Sequence, residues 1–256
     1  MSQITSGSYA SVNGLEMYYE IHGSGQPLVL LHGGMTTIGD FAAMLPAFAQ
    51  NRQVIASERQ GHGHTADIDR PFSLEQMADD TAELLRQLKI EKADIFGYST
   101  GGSVALAFAI RHPAMVRKLV LVSAIYNDSG YYPGMLEGLK HATADDLPDI
   151  MRQMYADVAP RPEDWPKLVA KSVASVADFK GWSAEDIQAI QVPTLVMVAD
   201  GDIVRTEYAV EMYRLLPHAN LAVLPATDHI TILFDRAEWV VSMTSAFLDA
   251  SMPEPE

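Results

Sequence analysis

Cysteine is absent from the 256-residue chain, which excludes a disulfide scaffold, a thiolate nucleophile and a cysteine-ligated metal site. Basic residues are few: 18 lysines and arginines stand against 33 aspartates and glutamates, giving a formal net charge of −15. Nucleic acids and anionic membrane surfaces both attract basic patches, so neither is expected as a partner. The chain also lacks an apolar run of the ~20 residues that a membrane-spanning helix needs.

A signal peptide is not predicted, because residues 1–5 begin neither a basic region nor a long apolar segment. These absences predict a soluble cytoplasmic protein. A hydrophobic content of 48% is enough for one substantial core with room for an inserted subdomain. The tail at residues 252–256 is rich in proline and glutamate and is expected to fray.

A Gly-Tyr-Ser-Thr-Gly motif occupies residues 97–101. The mostly apolar residues 93–96 before it indicate the end of a buried strand, and residues 102–110 after it indicate a buried helix that stops before Pro113. Ser99 therefore lies where a strand turns sharply into a helix. The free N–H groups and the positive dipole end of that helix would face the serine oxygen.

Buried strands alternate with helices over most of the chain. An Asn-Gly pair within residues 8–22 predicts a hairpin, and a helix is predicted over residues 39–49. This alternation predicts a doubly wound, mostly parallel sheet. A continuous apolar run predicts a strand buried on both faces at residues 27–31. Buried strands are also predicted at residues 117–124 and 192–198, and further strands at 53–56 and 220–224.

The strand–turn–helix context of Ser99 resembles the nucleophile elbow of the α/β-hydrolase family. The resemblance extends over nearly all of residues 8–250, because two later turns follow predicted strands in that family's Ser…Asp…His order. It implies the α/β-hydrolase fold, a mostly parallel central sheet flanked by helices. It also implies a catalytic triad of Ser99, Asp202 and His229.

The acidic member of the triad has a competitor two positions away. The turn Ala-Asp-Gly-Asp-Ile-Val at residues 199–204 is similar to the family's acid turn, which favours Asp202. Asp200 is the alternative, although the first acidic position in this turn usually shapes the backbone. Ala199 and Thr227 stand where the family commonly has glycine.

A His-Gly-Gly sequence at residues 32–34 follows a strand directly and resembles the family's oxyanion loop. The resemblance implies that the backbone N–H groups of Gly34 and Thr100 form the oxyanion hole, with Met35 as the less favoured donor. His32 is expected to brace this loop without a chemical role.

The turn at residues 58–65, Glu-Arg-Gln-Gly-His-Gly-His-Thr, resembles a further family motif. Glu58 and Thr65 are mild departures from it. His62 and His64 do not predict a metal site, because no third ligand lies nearby in the sequence.

The strand–helix alternation stops between residues 125 and 190, where short helical patterns are separated by prolines. An insertion at this point resembles the helical cap of family members, so the core is predicted at residues 1–124 and 191–256 and the cap at 125–190. The alternative is a helical subdomain whose aromatic side chains only pack on the sheet. The segment holds seven of the aromatic residues: Tyr126, Tyr131, Tyr132, Tyr155, Trp165, Phe179 and Trp182. Tyr126, Tyr131 and Tyr132 are predicted to line a substrate pocket together with Met35.

The resemblance implies a serine hydrolase that cleaves a small to medium carboxylic ester, with no metal and no organic cofactor. A serine nucleophile argues against the dehalogenases and epoxide hydrolases of this fold, which use aspartate. Lactonase, thioesterase and cofactor-free perhydrolase activities use the same triad and stay open. A ligand-binding receptor with a vestigial triad is the alternative from another class of protein.

Overall fold

The computed structural model describes residues 7–251. The expectations for residues 1–5 and for the tail at 252–256 lie outside the described residues. Within the described range, no helix is long and apolar enough to cross a membrane.

The strands of the described chain form one eight-stranded sheet, in the order β1-β2-β4-β3-β5-β6-β7-β8. The pairs β1–β2 and β2–β4 are antiparallel, and every other pair is parallel. The predicted mostly parallel sheet is therefore confirmed. The strands are β1 (Ser8–Val12), β2 (Leu15–His22), β3 (Gln26–Leu31), β4 (Arg52–Ser57), β5 (Ala93–Tyr98), β6 (Val116–Val122), β7 (Thr194–Gly201) and β8 (Ala219–Asp228).

The predicted hairpin lies between β1 and β2. Val12 pairs with Leu15, which leaves a two-residue turn. Asn13 and Gly14 have φ angles of 47° and 82°. Positive φ at both positions is what a type I′ turn requires, and Asn-Gly is the pair that adopts it most easily.

Ten α-helices surround the sheet in the described chain, and five short 3₁₀ helices occur in the loops. The predicted helix at 39–49 is wrong in extent, because the segment forms a 3₁₀ helix (Ile38–Phe41) and a separate α1. Pro46 lies in the first turn of α1, where its missing N–H is tolerated, and it cannot continue a helix from the preceding residues. The α-helices are α1 (Leu45–Phe48), α2 (Leu74–Gln87), α3 (Thr100–Arg111), α4 (Met135–His141), α5 (Asp149–Ala156), α6 (Trp165–Asp178), α7 (Ala184–Gln188), α8 (Thr206–Leu215), α9 (Thr231–Phe234) and α10 (Ala237–Asp249).

Two apolar clusters cover the two faces of the sheet. Side chains of α2, α3 and α8 belong to one cluster, and those of α1, α9 and α10 belong to the other. Burial on both faces explains why the central strands are apolar throughout rather than alternating. Because the strands from β3 to β8 run parallel, their carboxyl ends lie at one edge of the sheet, where the loops after β3, β5, β7 and β8 meet.

Helices α4 to α7 lie between β6 and β7, the position of the predicted cap; the boundaries at 125 and 190 stay a prediction. Lys171 on α6 ties this segment to the loop after β4. Its Nζ donates to both carboxylate oxygens of Asp67 at 2.8 Å and to the carbonyls of Ile68 and Arg70 at 2.8 and 2.9 Å. The helical segment is thereby attached directly to the sheet domain.

Candidate active site

Ser99 occupies a strained turn between β5 and α3. Its φ of 53° is unusual for a residue with a side chain, and such conformations cost on the order of 1–3 kcal/mol. A Cβ atom on Gly97 would lie 2.3 Å from the carbonyl oxygen of Gly101. A Cβ on Gly101 would lie 2.0 Å from the carbonyl oxygen of Leu31. Both flanking positions therefore require glycine, and the packing holds the serine in its strained conformation.

The structure brings Ser99, His229 and Asp202 together from the loops after β5, β8 and β7. The Ser99 Oγ lies 3.0 Å from His229 Nε2. The His229 Nδ1 lies 2.7 Å from Asp202 Oδ1. Tyr98 holds the backbone of the histidine, because its hydroxyl donates to the His229 carbonyl at 2.6 Å. The three side chains form a continuous hydrogen-bonded chain from a buried carboxylate to a hydroxyl on the cavity wall.

Asp202 is almost completely buried, and both oxygens of its carboxylate accept hydrogen bonds. Oδ1 also accepts the N–H of Val204 at 3.1 Å, while Oδ2 accepts the Ser123 hydroxyl at 2.5 Å and the N–H of Ala199 at 3.3 Å. Burial by itself raises the pKa of Asp202, but His229, Ser123 and Val204 outweigh it and hold the pKa below its ordinary value. The carboxylate is therefore ionised at neutral pH.

Asp200 and Asp228, the other carboxylates near the histidine in sequence, serve the backbone of their own turns. Asp200 accepts the N–H groups of Ala226 and Thr227 at 3.0 and 3.2 Å. Asp228 accepts the N–H of Thr231 at 2.8 Å. These contacts agree with a turn-shaping role for Asp200, which was the weaker candidate for the acid.

The loop after β3 lies against the N-terminus of α3. Gly34, Met35 and Thr100 line the same cavity as Ser99. A Cβ atom on Gly34 would lie 2.8 Å from Thr100 Oγ1, so glycine permits the close approach. Met35 adopts a φ of 57°, which completes a tight turn of the loop.

His32 is fully buried at the base of this loop. Its Nδ1 donates to the Gly33 carbonyl at 2.8 Å, and its Nε2 accepts the Arg59 N–H at 3.3 Å. Burial, with the nearby Arg59 charge, lowers the pKa of His32 well below its ordinary value. The imidazole is therefore neutral, and its contacts are those of the predicted brace.

His62 and His64 point to different partners. His62 Nδ1 donates to the carbonyl of Gln60 at 2.9 Å, and His64 Nδ1 lies 2.9 Å from Glu58 Oε2. Across residues 7–251, no group of three metal-ligating side chains is assembled.

A cavity of about 1080 Å³, including its open mouth, lies above Ser99 between the sheet domain and helices α4 and α6. Of the seven aromatic residues in the helical segment, Tyr131 and Phe179 line it. Aliphatic side chains make up much of the rest of the wall, and no sequence motif pointed to them. They recur along α4 and α6 at helical spacing: Leu136, Leu139, Val169, Val173 and Val176.

Tyr126 and Tyr132 do not line the cavity, contrary to the prediction. The Tyr126 ring stacks on Tyr208 at 5.0 Å between centroids, and its hydroxyl bonds to Glu211. Tyr132 is 41% exposed. Tyr131 is in extended backbone, where neighbouring side chains point to opposite sides, so only Tyr131 faces the cavity.

The cavity wall carries little charge. Within the described chain, no lysine or arginine lines it, and Asp128 near the mouth is its one carboxylate. An anionic substituent inside this cavity would have no cationic side chain to pair with.

Comparison with known proteins agrees with this architecture. A model of the alpha/beta hydrolase family matches residues 28–243, so the chain belongs to that family. The chain is 28% identical over 251 residues to a non-heme haloperoxidase of Rhodococcus erythropolis, covering 85% of this chain and 90% of that protein.

Two solved structures share the fold. The esterase EaEST from Exiguobacterium antarcticum has a TM-score of 0.79 at 23% identity, covering 95% of this chain and all of its own. The enol-lactonase from Burkholderia xenovorans has a TM-score of 0.77 at 24% identity, covering 94% of this chain and 100% of its own.

Proposed function

We propose that this protein is a serine hydrolase that cleaves neutral, small to medium carboxylic esters through an acyl-enzyme. The observation that supports this most directly is the hydrogen-bonded chain from Asp202 through His229 to Ser99, which ends at the wall of an apolar cavity. A serine hydroxyl needs an adjacent base to act as a nucleophile at neutral pH, and His229 is placed to be that base.

In the proposed reaction, His229 Nε2 accepts the proton of Ser99 as Oγ bonds to the ester carbon. The carbonyl π electrons move to oxygen, and the N–H groups of Thr100 and Gly34 stabilise the oxyanion. Collapse breaks the bond to the alcohol, which leaves with the proton from His229. Water then repeats the sequence on the acyl-enzyme and releases the acid. Asp202 orients the imidazole and stabilises its cation.

The chemistry of the cavity supports a neutral acyl group. Its wall includes aliphatic side chains of α4 and α6, Tyr131, Phe179 and several serine hydroxyls, but no lysine or arginine of the described chain. We propose that residues 125–190 act as a cap that limits the substrate by size and keeps water away from the oxyanion.

The decisive experiment combines covalent labelling with turnover. A fluorophosphonate should label Ser99, and Ser99→Ala should lose both labelling and hydrolysis of p-nitrophenyl butyrate while folding normally. Ser103→Ala is the matched control, because Ser103 is a buried serine of α3 bonded to the Ile125 carbonyl. Labelling of Ser103 or Ser123 instead of Ser99 would overturn the assignment. Labelling of Ser99 with no turnover on esters, lactones or thioesters would favour a receptor.

Perhydrolysis is a second candidate, favoured by the similarity to a non-heme haloperoxidase over 85% of the chain. In that reaction, hydrogen peroxide replaces water in attacking the acyl-enzyme, which releases a peracid and regenerates Ser99. Peracid formation from acetate ester and peroxide at a rate comparable with hydrolysis would establish this activity.

A further inference from the structure

Arg59 is a buried cation that lies beside the loop after β3. It is 1% exposed, and within residues 7–251 no carboxylate lies within ion-pair distance of it, so the charge of Asp40 acts on it only from further away. Its guanidinium instead donates to two successive carbonyls, from Nη1 to His32 at 2.5 Å and from Nη2 to Gly33 at 2.7 Å. Burying a charge without an ion pair is unfavourable, so the arrangement calls for a reason beyond packing.

The second of these carbonyls belongs to the peptide that carries the Gly34 N–H. The Gly33 oxygen accepts both from Arg59 and from His32 Nδ1, the latter at 2.8 Å. No cis peptide bond occurs in the described chain, and a trans peptide directs its C=O and N–H to opposite sides. With the oxygen held by Arg59 and His32, the Gly34 N–H must point away from them. Gly34 lies next to Thr100, and both residues line the cavity. The N–H of Thr100 is the second proposed oxyanion donor.

The preceding peptide is held as firmly. The Gly33 N–H donates to Asp40 Oδ2 at 2.9 Å, and the same oxygen accepts the Thr36 hydroxyl at 2.5 Å. A peptide fixed on both sides cannot rotate about its flanking bonds without breaking several buried hydrogen bonds.

We infer that Arg59 is a positioning residue, which holds the Gly33–Gly34 peptide so that the Gly34 N–H faces the oxyanion formed at Ser99. The inference rests on the proposed function. The cationic guanidinium also polarises the peptide whose oxygen it binds, which makes the Gly34 N–H a stronger donor. A neutral group in the same place would hold the peptide without this second effect.

The test measures binding of an oxyanion directly. An alkyl trifluoromethyl ketone accepts Ser99 Oγ at its carbonyl carbon, gives its carbonyl electrons to oxygen and leaves the serine proton on His229. The methyl ketone with the same alkyl chain occupies the cavity but forms little covalent adduct with Ser99, so it reports binding without an oxyanion. Arg59→Met should lower both the affinity for the trifluoromethyl ketone and kcat by about 100-fold, which is the loss expected when one oxyanion donor is removed. KM and the affinity for the methyl ketone should stay within about threefold of the wild-type values.

Arg52→Met is the matched control, because Arg52 is also a buried arginine but lies at the start of β4 and bonds to Asp94 and Asp249. It should leave the affinity ratio of the two ketones unchanged. A folded Arg59→Met variant with the wild-type ratio would overturn the inference.

Arg59→Lys keeps the inference testable if Arg59→Met does not fold. One ammonium does not reproduce the planar fork on two carbonyls, so about a tenfold loss in trifluoromethyl ketone affinity is expected. An unchanged affinity in Arg59→Lys would equally count against the inference. Failure of the wild-type protein to form the adduct at Ser99 would instead refute the proposed function.

Discussion

Ser123 Oγ lies 2.5 Å from Asp202 Oδ2, the carboxylate oxygen that does not bond to His229. Ser123 follows β6 directly and has a φ of 54°, so the end of a neighbouring strand turns its hydroxyl towards the acid. The contact leaves Asp202 with a partner on each oxygen and fixes the plane of the carboxylate. From the sequence, this serine is predicted only as part of the buried strand at residues 117–124.

Replacing Ser123 by alanine should lower kcat about tenfold, because one hydrogen bond to a buried charge is lost, worth roughly 1.5–3 kcal/mol. The pKa of Asp202 should rise, since its hydroxyl donor is removed. Steady-state kinetics on p-nitrophenyl butyrate measure the first effect. Ser103→Ala is the control for loss of a buried serine hydroxyl. An equal and small loss in both variants would mean that Ser123 contributes only to packing.

The two aspartates of the β7 turn should respond very differently to amidation. Asp202→Asn should reduce kcat by roughly 10⁴-fold, the loss known for the equivalent change in serine proteases, because the imidazole loses its orienting charge. Asp200→Asn should mainly lower stability, since Asp200 holds the backbone N–H groups of Ala226 and Thr227. Steady-state kinetics measure the loss of kcat, and thermal denaturation measures the loss of stability, in both purified variants. The opposite ranking would assign the acid to Asp200.

Tyr131 is expected to limit the acyl chain length, since it lines the cavity while its neighbour does not. Tyr131→Ala should shift the preferred p-nitrophenyl ester to a longer acyl group. The rate at which a phosphonate labels Ser99 should stay within about tenfold of the wild-type rate. Tyr132→Ala serves as the control, because Tyr132 is exposed. The measurement is kcat/KM from acetate to palmitate. Identical profiles for both variants and the wild type would remove Tyr131 from substrate selection.

Stability should fall as the pH is lowered below about 6.5, in part because of His62. Burial, with the charge of Arg59, lowers the pKa of His62 in the folded protein to about 3. Between that value and the unfolded pKa of about 6.5, only the unfolded chain takes up the proton, so its free energy falls relative to the folded state. Because of His62, the free energy of unfolding should therefore fall by about 2 kcal/mol when the pH is lowered from 7.5 to 5.0.

Urea denaturation of the wild type and of His62→Gln at both pH values isolates this contribution. Glutamine keeps a donor for the Gln60 carbonyl that His62 Nδ1 binds. Burial raises the pKa of Asp40 and of Glu58, which acts in the opposite direction but is common to both proteins. Equal losses of stability in the two proteins would contradict the prediction.

Sequence alone determined the sheet and the elbow, because each depends on residues close together in the chain. Apolar runs buried on two faces define the parallel strands, and the glycines around Ser99 permit a turn that no larger residue fits. The resemblance to the α/β-hydrolase family then implied Ser99, Asp202 and His229 as a triad, each following its own predicted strand. Parallel strands end at one edge of a sheet, so the three belong to that edge, but only the tertiary structure shows that they are hydrogen-bonded to each other.

Tertiary structure decided everything that depends on which side chains meet across the fold. Tyr131 faces the cavity and Tyr126 packs on Tyr208, although both are aromatic residues of one loop. The contact of Arg59 with the Gly33 carbonyl joins residues 26 positions apart in the chain. No local pattern encodes such pairs, because periodicity reports which face of an element is buried and not what covers it.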